Sequence, residues 1–200
     1  LKRNTFYGEK FLAEAKIPDH SYLLAISTLS LHKNWERLLE AYSKLVADGL
    51  AEHLVIAGLQ GKGASWSRIR SRVKQIGLEQ RVHLLGWLPR SVLLALFKYA
   101  DALVLPSLSE GFSITLIEAM AAELPVACSD IPSLRETASN AAIFFDPLSV
   151  SGIAEAISQV LDDTALRNQL VDQGKVRTQP LTWRATAEKT LAVLLEAGRH

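Results

Sequence analysis

Short apolar runs alternate along this chain with longer stretches whose apolar residues recur at intervals of three and four. The short runs predict strands over residues 22–26, 53–57, 82–85, 102–105, 126–128 and 142–145. The longer stretches predict amphipathic helices over residues 34–46, 65–76, 91–99, 112–122, 153–161, 165–173 and 184–197. Asn34 is the expected N-cap of the first helix, because its side chain can accept from free amides of the first turn.

The order of these elements predicts the fold class. Strands this apolar are typical of a sheet covered on both faces, and their alternation with helices implies parallel pairing through right-handed crossovers. We therefore expect an α/β fold, a doubly wound, Rossmann-like parallel sheet flanked by helices. Residues 1–20 are polar and weakly patterned, which predicts a linker or N-terminal extension before a domain over residues 21–200.

Composition narrows the function. The chain has 200 residues, 48% of them hydrophobic, which suits one domain with a sizeable core. With 22 basic and 21 acidic side chains, the net charge of +1 gives no overall reason to expect nucleic acid or an anionic membrane as a partner, although a local basic site stays open. The single cysteine, Cys128, lies in an apolar run that predicts an inert core thiol, and this usage fits a cytoplasmic protein.

The loop after the predicted strand 102–105 carries the most informative residues, since ligands of such sheets bind at the carboxyl ends of strands. Glu110 precedes the next helix, and Glu118 lies in its second turn. Glu118 has apolar sequence neighbours and needs a partner, for which ribose hydroxyls and a nearby arginine are equally suitable from spacing alone. Phosphate is attracted by the backbone amides at the helix start, which belong to Gly111, Phe112, Ser113, Ile114 and Thr115.

Three other loops contain candidates. Lys33 precedes a helix start, where a cation is unfavourable unless an anion such as a diphosphate lies beside it; the alternative is a solvated lysine. Gly58 begins a glycine-rich turn that could cradle phosphate, although the turn lacks the G-x-G-x-x-G spacing of nicotinamide sites. Trp87 could stack on a base, but a core position is the expectation for this residue taken alone.

The sequence has no C-x-x-C, H-E-x-x-H, G-x-S-x-G or D-x-D pattern, so neither a metal nor another cofactor is expected. His53 and His83 lie in predicted strands and are expected to be satisfied core residues rather than ligands. His32 is the only histidine in a candidate ligand loop.

Taken together, these loops resemble the C-terminal, donor-binding domain of family 4 retaining glycosyltransferases, one half of the GT-B fold. The most specific part is the E-x7-E segment from Glu110 to Glu118, which continues to Pro125. Residues 27–34 resemble the G-T-L-x-P-R-K-N opening of one subgroup, with serine at the first position and threonine where many members have arginine. The resemblance runs from about residue 22 to about residue 197.

The resemblance implies roles for these residues. Glu110 would contact hydroxyls of the donor sugar, the amides of residues 111–115 would face the sugar and diphosphate, and Glu118 would hold the ribose. Lys33, with Thr28 in the same loop, would contact the diphosphate and stabilise charge on the leaving nucleotide. The base would be bordered by Trp87 and Leu88.

The implied activity is transfer of a hexose from a nucleoside-diphosphate sugar, with retention at the anomeric carbon, to a glycan or lipid-linked acceptor. The subgroup resemblance favours mannose from GDP-mannose, in the assembly of cell-surface polysaccharide. We expect the N-terminal acceptor domain to be absent from these residues, so that the chain alone binds donor weakly and turns over little. The expected location is cytoplasmic, and peripheral association of the full-length protein with the inner face of the membrane stays open.

Three alternatives remain. The first is a synthase-type GT-B enzyme with a UDP- or ADP-sugar donor, which the donor nucleotide would distinguish. The second is a nicotinamide-dependent oxidoreductase, against which the missing G-x-G-x-x-G counts. The third is an inactive nucleotide-binding module that has kept the GT-B-like fold.

Overall fold

The computed structural model describes residues 2–17, 21–58 and 63–198, in which helices and parallel strands alternate. The elements are α1 (Lys2–Glu14), β1 (Tyr22–Ile26), the 3₁₀ turn η1 (Leu31–Lys33), α2 (Trp35–Ala47), β2 (His53–Ala57), α3 (Ala64–Gln75), β3 (Val82–Leu84), α4 (Arg90–Tyr99), β4 (Ala102–Leu105), α5 (Ile114–Ala121), β5 (Val126–Ser129), α6 (Pro132–Ala138), β6 (Ile143–Phe145), α7 (Val150–Asp162), α8 (Thr164–Thr178) and α9 (Trp183–Ala197).

The described strands form one six-stranded sheet in the order β3-β2-β1-β4-β5-β6, and every neighbouring pair is parallel. The chain builds one half outward from β1 through β2 and β3, then crosses back to β4 and builds the other half. The topology therefore switches between β1 and β4, where parallel sheets of this kind open a crevice for ligands. The predicted doubly wound α/β fold is confirmed.

Successive side chains of each strand enter two separate cores. Leu23 and Val104 lie in the core covered by α2, α3, α7 and α8, and Leu24 and Leu105 lie in the core covered by α1, α4, α5 and α6. Cys128 is fully buried in the second core, where desolvation raises the pKa of its thiol to about 12. The thiol therefore stays protonated and unreactive at physiological pH, as expected from its apolar run.

The first helix differs from the sequence-based expectation. A linker was expected over residues 1–20, but α1 is helical and packs on α4, and Leu12 and Ile17 are buried in the second core. The contact is close at Gly8, where a Cβ would lie 2.6 Å from that of Ala95. Gly8 takes part in this packing beside the buried Leu12, and a glycine contact leaves no sign in the hydrophobic pattern.

Two helices, α6 and α9, differ strongly in how far they are buried. The helix α6, which was not predicted, begins with Pro132 in its first turn and buries Leu134. The helix α9 buries none of its residues and leaves several large apolar side chains exposed. Among the described residues, no helix combines the length and the apolar character that a membrane span requires.

Candidate functional site

The loops after β1 and β4 meet at the switch point of the sheet. The Nζ of Lys33 donates a hydrogen bond to Oε1 of Glu110 at 2.7 Å, across 77 positions of sequence. The two side chains are only 13% and 14% exposed. The hydroxyl of Ser107, itself buried, donates to the same oxygen at 2.7 Å. The lysine expected at the diphosphate and the glutamate expected at the donor sugar are thus in contact and enclosed, and they are held by a serine that the sequence analysis did not identify.

Asn34 fixes the position of this pair. Its amide Nδ2 donates to the carbonyl of Pro106 at 2.9 Å and to that of Pro147 at 2.7 Å. Asn34 occupies the predicted N-cap position of α2, but the expected side-chain cap bond is absent and its backbone is left-handed, with φ 59°. Asparagine tolerates this conformation better than most residues. It therefore ties the loop that carries Lys33 to the loops after β4 and β6.

A backbone contact strengthens the same junction. The amide of Leu108 donates to the carbonyl of His32 at 2.7 Å. The side chain of His32 is exposed, so this residue joins the two loops through its backbone. Thr28 lies earlier in the first loop, where its carbonyl accepts from the indole of Trp35 at 2.9 Å and its hydroxyl lies 3.1 Å from that of Ser30. These bonds hold the loop after β1 in one shape.

The start of α5 follows Glu110 directly. Ser113 is buried and caps the helix, since its hydroxyl accepts from the amide of Leu116 at 3.3 Å. The helix therefore begins at Ile114 rather than at residue 112, and Gly111 and Phe112 belong to the loop before it. A Cβ built on Gly111 would meet nothing within 4 Å, so that a ligand can approach the backbone there. The helix start thus keeps unpaired first-turn amides beside the Lys33–Glu110 pair.

Glu118 has a different partner. The guanidinium of Arg90, at the first position of α4, donates to Oε1 of Glu118. The two side chains are 61% and 28% exposed, so this is a surface ion pair. The arginine alternative for Glu118 is therefore the one found in the structure. Arg90 was missed, although a cation at a helix start, where the dipole disfavours it, signals a nearby anion.

The loops after β2 and β3 complete this edge of the sheet. Gly58 has φ +85°, and a Cβ there would lie 3.2 Å from the carbonyl oxygen of Ser27. Its amide donates to the carbonyl of Gly86 at 3.2 Å, which joins the loops after β2 and β3. The rest of the glycine-rich turn, residues 59–62, lies outside the described residues. Glycine is thus required here by the approach of the chain itself.

Trp87 does not occupy the core. It is 80% exposed, whereas Leu88 is buried in the second core. The two neighbours therefore differ in burial, and only Leu88 packs inward. The expected core position of Trp87 is therefore wrong, and its ring lies free on the loop that leads to Arg90.

The two strand histidines form a pair at the opposite end of the sheet. Nδ1 of His53 lies 2.8 Å from Nε2 of His83, and the rings stack with centroids 5.1 Å apart. Burial lowers the pKa of both imidazoles, helped at His53 by the charge of Arg81 and at His83 by His53. Each histidine is satisfied by the other, as expected, although both are only partly buried. Within the described ranges, no group of three or more histidine, cysteine or acidic side chains could hold a metal ion.

The chain is similar to known proteins over most of its length. The model of a family described as "Glycosyl transferases group 1" matches residues 9–177. The O-antigen chain mannosyltransferase B of Escherichia coli is 30% identical over 173 residues, which are 85% of this chain and 44% of that protein. A glycogen synthase of Mycobacterium tuberculosis is 32% identical over 180 residues, 88% of this chain and 43% of that protein. The chain thus spans a little under half the length of these relatives.

A solved structure is similar over nearly the whole chain. The sucrose-phosphate synthase of Thermosynechococcus elongatus superposes with a TM-score of 0.77 at 25% sequence identity, covering 94% of this chain and 48% of that one. The match therefore extends to one half of that larger molecule.

Proposed function

Because this chain belongs to the family of glycosyl transferases group 1, we propose that it is the donor-binding half of an enzyme that transfers a hexose from a nucleoside-diphosphate sugar to a glycan or lipid-linked acceptor. The observation that carries the proposal is the enclosed contact between Lys33 and Glu110 at the switch point of the sheet. A cation, a carboxylate and a helix start together provide groups for a diphosphate and for the sugar attached to it.

Donor binding would exchange the partners of this pair. The diphosphate would take the ammonium of Lys33, and Glu110 would accept hydrogen bonds from sugar hydroxyls while Ser107 continues to hold it. With side chains this enclosed, an electrostatic contact is stronger than it is in bulk water. Lys33 would then stabilise the negative charge that grows on the leaving nucleotide as the bond to the anomeric carbon breaks.

The amides of residues 111–115 would add to this stabilisation. The capped helix α5 directs its positive end toward the loop that carries Glu110. We infer that the acceptor enters on the face that the leaving group departs from, so that configuration is retained and the departing phosphate helps to remove the acceptor proton. No metal has a part in this proposal, because the charge is handled by Lys33 and the helix start.

The nucleoside would lie along the loops after β3 and β4. Ribose hydroxyls would donate to Glu118 in place of Arg90, an exchange that is cheap because exposed ion pairs contribute only about 0–1 kcal/mol. The exposed ring of Trp87 and the backbone at Leu88 would border the base. Arg90, once displaced, would remain close enough to attract the anionic donor.

GDP-mannose is the donor that we favour. The segment 27–34 resembles the opening of a mannosyltransferase subgroup, and the E. coli relative is a mannosyltransferase of O-antigen chains. The second candidate is a UDP- or ADP-sugar donor of the synthase type. It is supported by the similarity to a glycogen synthase and to a sucrose-phosphate synthase.

A nucleotide screen tests both candidates. The full-length protein would be titrated by calorimetry with GDP, UDP and ADP and with their sugars, and assayed for transfer from each donor. We expect GDP and GDP-mannose to bind and Lys33→Ala to weaken that binding, with Lys44→Ala, an exposed lysine on α2, as the matched control. Preference for UDP or ADP would favour the synthase type, and binding without any transfer would favour the inactive module.

A further inference from the structure

A cavity of about 210 Å³ lies between α2 and α3, apart from the residues assigned to the donor. Its lining includes the buried side chains of Trp35, Leu39 and Ile69, which form an apolar floor. Leu31 and Leu108 also line it and are 80% and 38% exposed, so they stand on its open side. An apolar chain of modest length would bury this surface and displace water from it.

The rim of the same cavity is basic. Arg37, Arg68 and Arg72 line it, and the only acidic side chain among the lining residues is Glu36, 4.0 Å from Arg68. Two of these arginines belong to α3, which carries four basic side chains and no acidic one over ASWSRIRSRVKQ. In a chain whose net charge is only +1, this is a local concentration of positive charge. It is the local basic site that overall composition left open.

One arginine has an unsatisfied donor. The Nε of Arg72 is buried and has no hydrogen-bond partner among the described residues. A buried N–H without an acceptor is unfavourable, and most such groups in proteins are paired with protein, water or ligand. An anionic head group in the cavity would bring a charge opposite to that of the rim close to this incompletely bonded guanidinium.

We propose that this cavity binds a small amphiphile, namely an anionic head group such as a phosphate carried on an apolar chain. The chain lies on the floor of Trp35, Leu39 and Ile69, and the head group pairs with Arg68 and Arg72. This inference does not depend on the proposed transfer reaction. The site nevertheless adjoins it, because Leu31 and Leu108 belong to the same two loops as Lys33 and Glu110.

The test uses n-octyl phosphate below its critical micelle concentration, titrated into the full-length protein by calorimetry. We expect saturable binding, at least tenfold weaker for inorganic phosphate, which lacks the chain, and for n-octanol, which lacks the charge. Arg72→Gln should weaken binding of n-octyl phosphate at least tenfold, and so should Arg68→Gln. Because the side chain of Arg68 is exposed, its loss should not disturb the fold, and weaker binding by Arg68→Gln would not be due to misfolding. Leu31→Ser should weaken the octyl compound but not inorganic phosphate.

Arg70→Gln is the matched control, since Arg70 lies on the same basic helix but does not line the cavity. Binding should stay within twofold of the unmodified protein. An equal loss from Arg70→Gln would overturn the proposal in favour of diffuse attraction to α3. So would equal affinity for inorganic phosphate. Binding only to phosphatidylglycerol vesicles, and not to free n-octyl phosphate, would reassign α3 to a membrane surface.

Discussion

The two carboxylates of the E-x7-E segment lie in different surroundings. Glu110 is 14% exposed and receives both Lys33 and the hydroxyl of Ser107 on one oxygen. Glu118 is 28% exposed and is bonded to an arginine that is itself 61% exposed. Removing one partner of an enclosed pair leaves a charge without compensation, whereas water replaces a lost partner at the surface.

The two ion pairs therefore differ in how firmly the structure holds them before a ligand binds. Asn34 and the loop contacts hold the backbone that carries Lys33 and Glu110, so under the proposed function the two side chains would exchange partners with little movement of the loops. The exposed Arg90–Glu118 pair can separate at little cost, and the carboxylate of Glu118 can then accept hydrogen bonds from a ligand. The two glutamates of one sequence motif therefore differ in the free energy that their ion pairs contribute.

The largest expected effect comes from removing the enclosed cation. Lys33→Ala in the full-length enzyme should lower kcat about 10²–10³-fold, as loss of one preorganised charge-stabilising group does elsewhere. Steady-state kinetics with the preferred donor measure this, and Lys44→Ala should leave kcat unchanged. A Lys33→Ala enzyme with normal turnover would show that the enclosed pair is structural.

Loosening the support of that pair should have the next largest effect. Asn34→Ala removes two buried hydrogen bonds and places alanine in left-handed backbone, so we expect a loss of about 3 kcal/mol in the free energy of unfolding. Chemical denaturation measures it. Asn34→Gly, which tolerates the backbone but lacks the bonds, should recover about 1 kcal/mol. Equal losses in the two variants would mean that backbone conformation contributes nothing.

The exposed pair should give a smaller and different result. Glu118→Ala should raise the KM for the donor about tenfold, with little change in kcat, because a hydrogen bond from a ribose hydroxyl to a carboxylate is lost. Arg90→Ala should change the free energy of unfolding by less than about 1 kcal/mol. Donor KM that rises as much in Arg90→Ala as in Glu118→Ala would contradict the exchange of partners.

The smallest effect concerns the pair at the other end of the sheet, which has no charge at neutral pH. The pKa of His53 and His83 is lowered in the fold, so the unfolded chain binds protons more readily. Stability should therefore be fully present above pH 6.5 and fall as the pH drops below it. Unfolding followed between pH 5 and 7.5 measures the slope, which should shrink in His83→Asn. An unchanged slope would assign it to other groups.

The sequence predicted the framework well, and it placed Lys33 and Glu110 at the same edge of the sheet. The bounds of β1, β2 and β4 match the apolar runs, and the rule that ligands lie at strand ends brought Lys33 and Glu110 to one place before any coordinates. The family resemblance is confirmed by the match over residues 9–177. The donor contacts, at Lys33 and Glu110 as much as at Thr28 and Leu88, stay predictions.

What escaped prediction depends on polar contacts over long sequence distances. Asn34 bonds to carbonyls 72 and 113 positions away, and no local pattern encodes such partners. Arg90 and Glu118 are 28 positions apart on different helices, so their pairing follows from tertiary packing alone. A core position was expected for Trp87 because large aromatic residues are usually buried. In the structure its neighbour Leu88 is buried instead, and Trp87 is exposed.

The buried thiol of Cys128 can report how often the sheet opens. The thiol lies on β5, between β4 and β6, and it has neither solvent access nor an accessible thiolate while the sheet is closed. A thiol reagent can therefore modify it only in molecules whose central strands have separated. The rate at which the thiol is labelled in native buffer therefore measures how often the strands separate. The natural sequence suffices for this measurement, since no cysteine has to be introduced.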